Sequence, residues 1–112
     1  MRARSYASIL LSCIARLSGV KSLTSRQSEL LANVAMDTKA ASKLWDSEDW
    51  DGLRGLRSSL APAAHIDVLD DSAAGEAANC LARAWWGLRK GDGNEVIARC
   101  SEAMDFMGWQ LE

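Results

Sequence analysis

Apolar residues recur every three or four positions along most of this chain, and nowhere do apolar and polar residues alternate for long. The clearest case runs from Ser72 to Trp109. Ala74, Ala77, Leu81, Trp85 and Leu88 share one helical face, and Val96, Ile97, Cys100, Met104 and Met107 share another after the interruption GDGN. Two amphipathic helices joined by so short a turn lie antiparallel. Gly91 and Gly93 are expected to take the positive φ that stops the first helix and reverses the chain.

The same period organises the first half. Tyr6, Ile9, Leu10, Cys13, Ile14 and Leu17 form one face, with Ser5, Ser8, Ser12 and Arg16 opposite and Gly19 as the C-cap. Thr24 and Gln27 have capping-box spacing and open a second helix. Its stripe is Leu30, Leu31, Val34, Ala41, Leu44 and Trp45, interrupted by Asp37 and Thr38, so the segment reads as one long helix or as two split near Met36. Ser47 is the expected N-cap of a third helix, with Glu48 and Asp49 in its first turn. Trp50, Leu53, Leu56 and Leu60 would be its apolar face and Pro62 its boundary. The stretch APAAHIDVLDDS reads as irregular, ending at Asp70, Asp71 or Ser72 as the next cap. The pattern predicts helices near 5–18, 25–45, 48–60, 72–90 and 94–109. The expected fold is all-α, a single domain over 1–112, with antiparallel hairpins stacked into a small bundle.

Composition adds a charge asymmetry. The 112 residues carry a net charge of −2, too acidic for a nucleic-acid binder by bulk electrostatics. Residues 1–45 hold seven bases against two acids, a net +5, whereas residues 46–112 hold six against thirteen, a net −7. Such polarity bears on partners rather than on fold. The basic residues Arg2, Arg4, Arg16, Lys21 and Arg26 offer phosphate contacts, but the acidic half would repel a polyanion and no helix has a dense basic face. Cys13, Cys80 and Cys100 form no C-x-x-C pair, and their odd number at apolar positions fits buried thiols in a reducing, cytoplasmic compartment. Residues 1–22 are basic and serine-rich, as organelle presequences are. Their clean helical face favours a mature first helix. No stretch approaches the roughly 20 apolar residues of a membrane span.

Candidate chemistry is sparse. His65 is the only histidine, and any nucleophilic site built on a histidine would have to use it. Its neighbours Asp67, Asp70 and Asp71 match no metal-binding loop, and GDGN continues as helix rather than as a calcium loop. No glycine-rich phosphate cradle is present. No catalytic residue, metal site or cofactor is therefore expected, and the chain reads as a binding protein rather than an enzyme. The most informative polar feature is DSEDWD. Asp46, Glu48, Asp49 and Asp51 are flanked by Trp45 and Trp50. The structural alternative is helix capping over a buried tryptophan pair; the functional one is an acidic surface with aromatic anchors, suited to a basic partner. Trp85 and Trp86 point about 100° apart on a helix. Trp85 belongs to the apolar stripe, and Trp86 leans toward Asn79, Arg83 and Lys90. The candidate partner-binding set is Trp45, Asp46, Glu48, Asp49, Trp50, Asp51, Asp70, Asp71 and Trp86.

Two resemblances bear on this set. ARAWWGLRKGDGNEVIARCSEA resembles a tetratricopeptide-type unit at Ala84, at the Gly91–Asp92 turn and at Ala103. It covers about a third of the chain and departs at Gly87, at Val96 and in lacking a closing proline. These features read as general hairpin packing, which in stacked form exposes a protein-binding face. In its size, the DSEDWD patch and the acidic second half, the chain is similar to small helical immunity proteins of bacterial toxin–immunity systems, including contact-dependent inhibition systems. That resemblance implies a cytoplasmic protein, a monomer or weak homodimer, that covers a basic toxin domain such as a nuclease. The alternative is a helical adaptor that binds through an apolar face.

Overall fold

The computed structural model describes residues 5–57 and 72–111. Among these the chain forms five α-helices: α1 Tyr6–Ser18, α2 Ser25–Asp46, α3 Trp50–Gly55, α4 Ala73–Arg89 and α5 Gly93–Phe106. The fold is all-α, as the periodicity predicts. One apolar cluster draws on all five helices. None of them is long and apolar enough to cross a membrane.

The helix α4 occupies the centre. It packs against α1, α2 and α5, while α1 also touches α2 and α5. Twelve of its 17 residues are buried, so it has no single apolar stripe. Beyond the expected Ala74, Ala77, Leu81, Trp85 and Leu88, the residues Ala78, Cys80, Ala82, Ala84 and Gly87 are enclosed as well. A helix apolar on most of its circumference belongs inside a bundle. Here alanine and glycine make that possible, because they let neighbouring backbones approach closely. A Cβ on Gly87 would lie 2.8 Å from Glu95 Cγ of α5.

The turn between α4 and α5 is a Schellman motif. Gly91 has φ +79°, its N–H donates to the Leu88 carbonyl at 3.0 Å, and the Asp92 N–H donates to the Gly87 carbonyl at 2.9 Å. Asp92 then caps α5, accepting from the Glu95 N–H at 3.1 Å. Gly93 plays a different part from the one expected. It is the first helical residue of α5 rather than a second positive-φ position, and a Cβ there would overlap the Tyr6 ring of α1.

The second helix is single. It runs through the Asp37–Thr38 interruption because buried Thr38 returns its hydroxyl to the Val34 carbonyl at 2.7 Å. The expected capping box is present: the Gln27 N–H donates to Thr24 Oγ1 at 3.1 Å and the Thr24 N–H to Gln27 Oε1 at 2.9 Å.

Two boundaries differ from the sequence expectation. The third helix spans Trp50–Gly55, with Leu56 already extended; residues 58–60 of its expected span and its expected boundary Pro62 lie outside the described residues. Two glycines in six residues make a weak helix. Its N-cap is Asp49, not Ser47, which instead closes α2. The last helix ends at Phe106 rather than near 109, because Gly108 at φ +73° turns the chain and the Trp109 N–H donates to the Met104 carbonyl at 2.9 Å. The tail folds back on α1. The Arg16 guanidinium sits 4.6 Å from the Trp109 ring centroid and donates to the Gln110 carbonyl at 3.2 Å. Arg16, considered above as a phosphate contact, is thus engaged internally.

All three cysteines are free and buried. Burial first, and then the hydrogen bond its thiol donates to Glu102 Oε1 at 3.4 Å, push Cys80 from an ordinary 9.0 up to about 12. A hydrogen bond with Cys13, followed by burial, raises Cys100 as well.

Two outcomes follow for stability. Gly93→Ala should cost about 1–3 kcal/mol by overpacking against Tyr6. Urea melts should show that cost vanishing in a Tyr6→Ala background, where the two changes are coupled. The folded protein holds the Cys80 proton more tightly than the unfolded chain. Its contribution is therefore full below pH 9.0 and is lost as pH rises from 9.0 through about 12. Melts across that window should show the loss, and Cys80→Ala should flatten part of the slope.

Candidate functional site

The end of α2, its turn and the start of α3 bring Asp46, Glu48, Asp49, Trp50 and Asp51 together on the surface, all five exposed. An aromatic stack supports the turn from inside. Trp45 packs edge-to-face on Tyr6 of α1 with centroids 5.3 Å apart, and on Trp50 at 5.1 Å. The half-buried Trp45 indole N–H donates to the Leu88 carbonyl of α4 at 2.9 Å. Gly91 completes the seat: a Cβ there would lie 3.8 Å from the Trp50 ring. Trp50 keeps 39% of its surface exposed above this support. Sequence reasoning assigned Tyr6 to the apolar face of α1 and missed its part in the stack.

The four carboxylates differ in their ties. Asp49 caps α3 by accepting from the Gly52 N–H at 2.9 Å, and Asp51 pairs with Arg54 across one helical turn at 2.5 Å. Both members of that pair are exposed, so it adds little stability. Asp46 and Glu48 accept no hydrogen bond from a described residue.

Glu48 is the conspicuous residue. The α2 terminus repeats the Schellman geometry of α4 and α5: the Glu48 N–H donates to the Trp45 carbonyl at 3.1 Å and the Asp49 N–H to the Leu44 carbonyl at 2.9 Å. In α4 and α5 the left-handed position belongs to Gly91 and Gly108. In α2 it belongs to Glu48, at φ +55°, the one such non-glycine among the described residues. A side chain there is strained by roughly 1–2 kcal/mol.

Trp86 lies elsewhere. It is half-buried between α4 and α5, edge-to-face on Trp85 with centroids 4.9 Å apart, and the Arg89 guanidinium stands 5.6 Å from its ring centroid. With Arg83, Gly87, Lys90, Glu95 and Arg99 it lines a groove of about 350 Å³ that shares no residue with the acidic turn. The candidate residues thus separate into two surfaces. His65, Asp67, Asp70 and Asp71 lie outside the described residues. Among the described residues no group of three or more histidines, cysteines or carboxylates is arranged to hold a metal.

Glu48→Gly should raise stability by about 0.5–1 kcal/mol, the relief of left-handed strain less the entropic cost of glycine. Chemical denaturation of the variant beside wild type measures this; a loss of stability would mean that the Glu48 side chain supports the turn. Comparison with protein families, with curated proteins and with solved structures finds no match to this chain.

Proposed function

We propose that this chain is a non-catalytic binding protein whose 46–51 turn captures a basic protein domain, in the manner of the immunity proteins that neutralise bacterial nuclease toxins. The observation that carries the reading is Glu48 at φ +55°, a position where glycine is the unstrained residue. Strained backbone is concentrated at functional sites, so strain at a surface turn beside an exposed tryptophan supports a role in contact. Four carboxylates around Trp50 offer negative charge for a partner's lysines and arginines and an indole to enter a pocket between them. Against a nuclease they would stand in for substrate phosphates and Trp50 for a base. The support of Trp50 by Trp45, Tyr6 and Gly91 keeps the anchor in place before binding, which limits the ordering cost on association. A reducing, cytoplasmic setting fits three free buried thiols.

The test is capture from the native host at low salt. Wild type should retain a basic protein and release it as salt rises. The variant Asp46→Asn, Glu48→Gln, Asp49→Asn, Asp51→Asn should associate about 10- to 100-fold more slowly, with most of the salt dependence gone. Asparagine at 49 preserves helix capping, so the variant stays folded. Equal capture and equal salt response by the two proteins would sink the proposal.

A further inference from the structure

The groove between α4 and α5 combines features that the acidic half of the chain otherwise lacks. Residues 46–112 contain only six lysines and arginines, namely Arg54, Arg57, Arg83, Arg89, Lys90 and Arg99. Three of them, Arg83, Lys90 and Arg99, line the groove, and Arg89 stands against the Trp86 ring that forms part of its wall. Four of the six bases in a segment of net charge −7 therefore gather about one indole.

The cations are not equivalent. Arg99 is built into the wall: its Nε donates to Glu95 Oε1 at 3.0 Å, and its Nη1 donates to Glu102 Oε1 at 2.9 Å and Oε2 at 2.7 Å. Arg99 is thus shared between Glu95, the one acid lining the groove, and Glu102, itself held by the Cys80 thiol, one guanidinium against two carboxylates. Arg83 and Lys90 are exposed and make no ion pair with a described residue. They sit three residues before and four residues after Trp86, so all three share one face of α4. Gly87 lets the Glu95 side chain of α5 close against α4 and form the floor, since a Cβ there would lie 2.8 Å from Glu95 Cγ.

We infer that this groove binds a small ligand with a phosphate on a planar ring, the class represented by nucleoside monophosphates. The ring stacks on the exposed part of Trp86, and the phosphate is met by Arg83 and Lys90, which no carboxylate of a described residue pairs and which together outweigh the one negative charge left over in the Arg99 network. Guanidinium and ammonium donors form short, charge-assisted hydrogen bonds to phosphate oxygens, and indoles stack on bases of any identity. The groove, about 350 Å³ and open to solvent, has room for one such ring and its phosphate. The site is independent of the 46–51 turn and stands whether or not that turn binds a protein.

The experiment is calorimetric titration of the full chain at low salt with adenosine monophosphate, adenosine and inorganic phosphate in parallel. Adenosine monophosphate should bind wild type, with adenosine and phosphate each weaker. The double variant Arg83→Gln, Lys90→Gln changes exposed side chains only and should weaken binding about tenfold or more while leaving helicity and the thermal midpoint unchanged. Trp86→Leu should weaken it comparably, and Trp86→Phe, which keeps an aromatic face, should retain most of it. Absence of binding to wild type at millimolar nucleotide overturns the inference, as does binding that the double variant leaves intact. Phosphate binding as tightly as the nucleotide, with no effect of Trp86→Leu, overturns the assignment of the ring.

Discussion

The close approach of α5 to α4 is the constraint on which the rest depends. A helix enclosed by three others needs short side chains wherever a neighbouring backbone comes close, and Ala74, Ala77, Ala78, Ala82, Ala84 and Gly87 meet that condition while Leu81, Trp85 and Leu88 fill the core beside them. The same closeness appears at the other end of the hairpin turn, where Gly93 leaves room for the Tyr6 ring. Tyr6 then sets Trp45, and Trp45 sets Trp50. Placement of the most exposed tryptophan described thus traces back, contact by contact, to the missing side chain at Gly93. The enclosure of α4 has a cost. Trp85 Nε1 and Asn79 Oδ1 are buried without a hydrogen-bond partner among the described residues, each worth about 1–3 kcal/mol. The extensive packing of α4 offsets it.

Three helices end in the same hydrogen-bond geometry, and the comparison among them is internal to one molecule. Gly91 and Gly108 occupy the left-handed position at two of the ends, and Glu48 at the third. The local demand on the backbone is alike, so the difference in residue reflects something other than turn geometry. The neighbours of Glu48 sharpen the point. Asp46 is as free of described hydrogen bonds as Glu48, while Asp49 and Asp51 have structural ties, one as a cap and one in an exposed pair. Helix capping thus accounts for one of the four acids and leaves Asp46 and Glu48 without a structural reason.

Much of the fold was legible because its signals were local. The capping box of Thr24 and Gln27, the stripe of α1 and the turn at Gly91 depend on residues within a few positions of one another. What could not be read depends on distance in space. The second buried side of α4 is made of alanine, cysteine and glycine, residues whose apolarity is too weak to mark a face until a neighbour closes on it. Gly93 looked like a turn glycine, and only the arrival of α1 shows that its task is to admit Tyr6. The early end of α5 is set by Gly108, whose role is plain only once Trp109 is seen folded back on Arg16. At the candidate site the cluster of acids was visible as composition. The left-handed Glu48 was not, because the motif it completes ordinarily announces itself by glycine.

The two surfaces meet at one turn. The turn Lys90–Asp92 presents Gly91 to Trp50, while Lys90 belongs to the groove beside Trp86. Negative charge therefore gathers on the α2–α3 side of this turn and unpaired positive charge on the α4–α5 side. Under the proposed function such a division does more than attract. A basic partner is drawn to the 46–51 turn and repelled by Arg83 and Lys90, so the field narrows the orientations in which the two proteins meet, and specificity arises from repulsion as well as attraction. An anion seated in the groove would neutralise part of that repulsion. The effect would reach the docking surface through electrostatics and would fade over the Debye length of about 10 Å at 0.1 M salt.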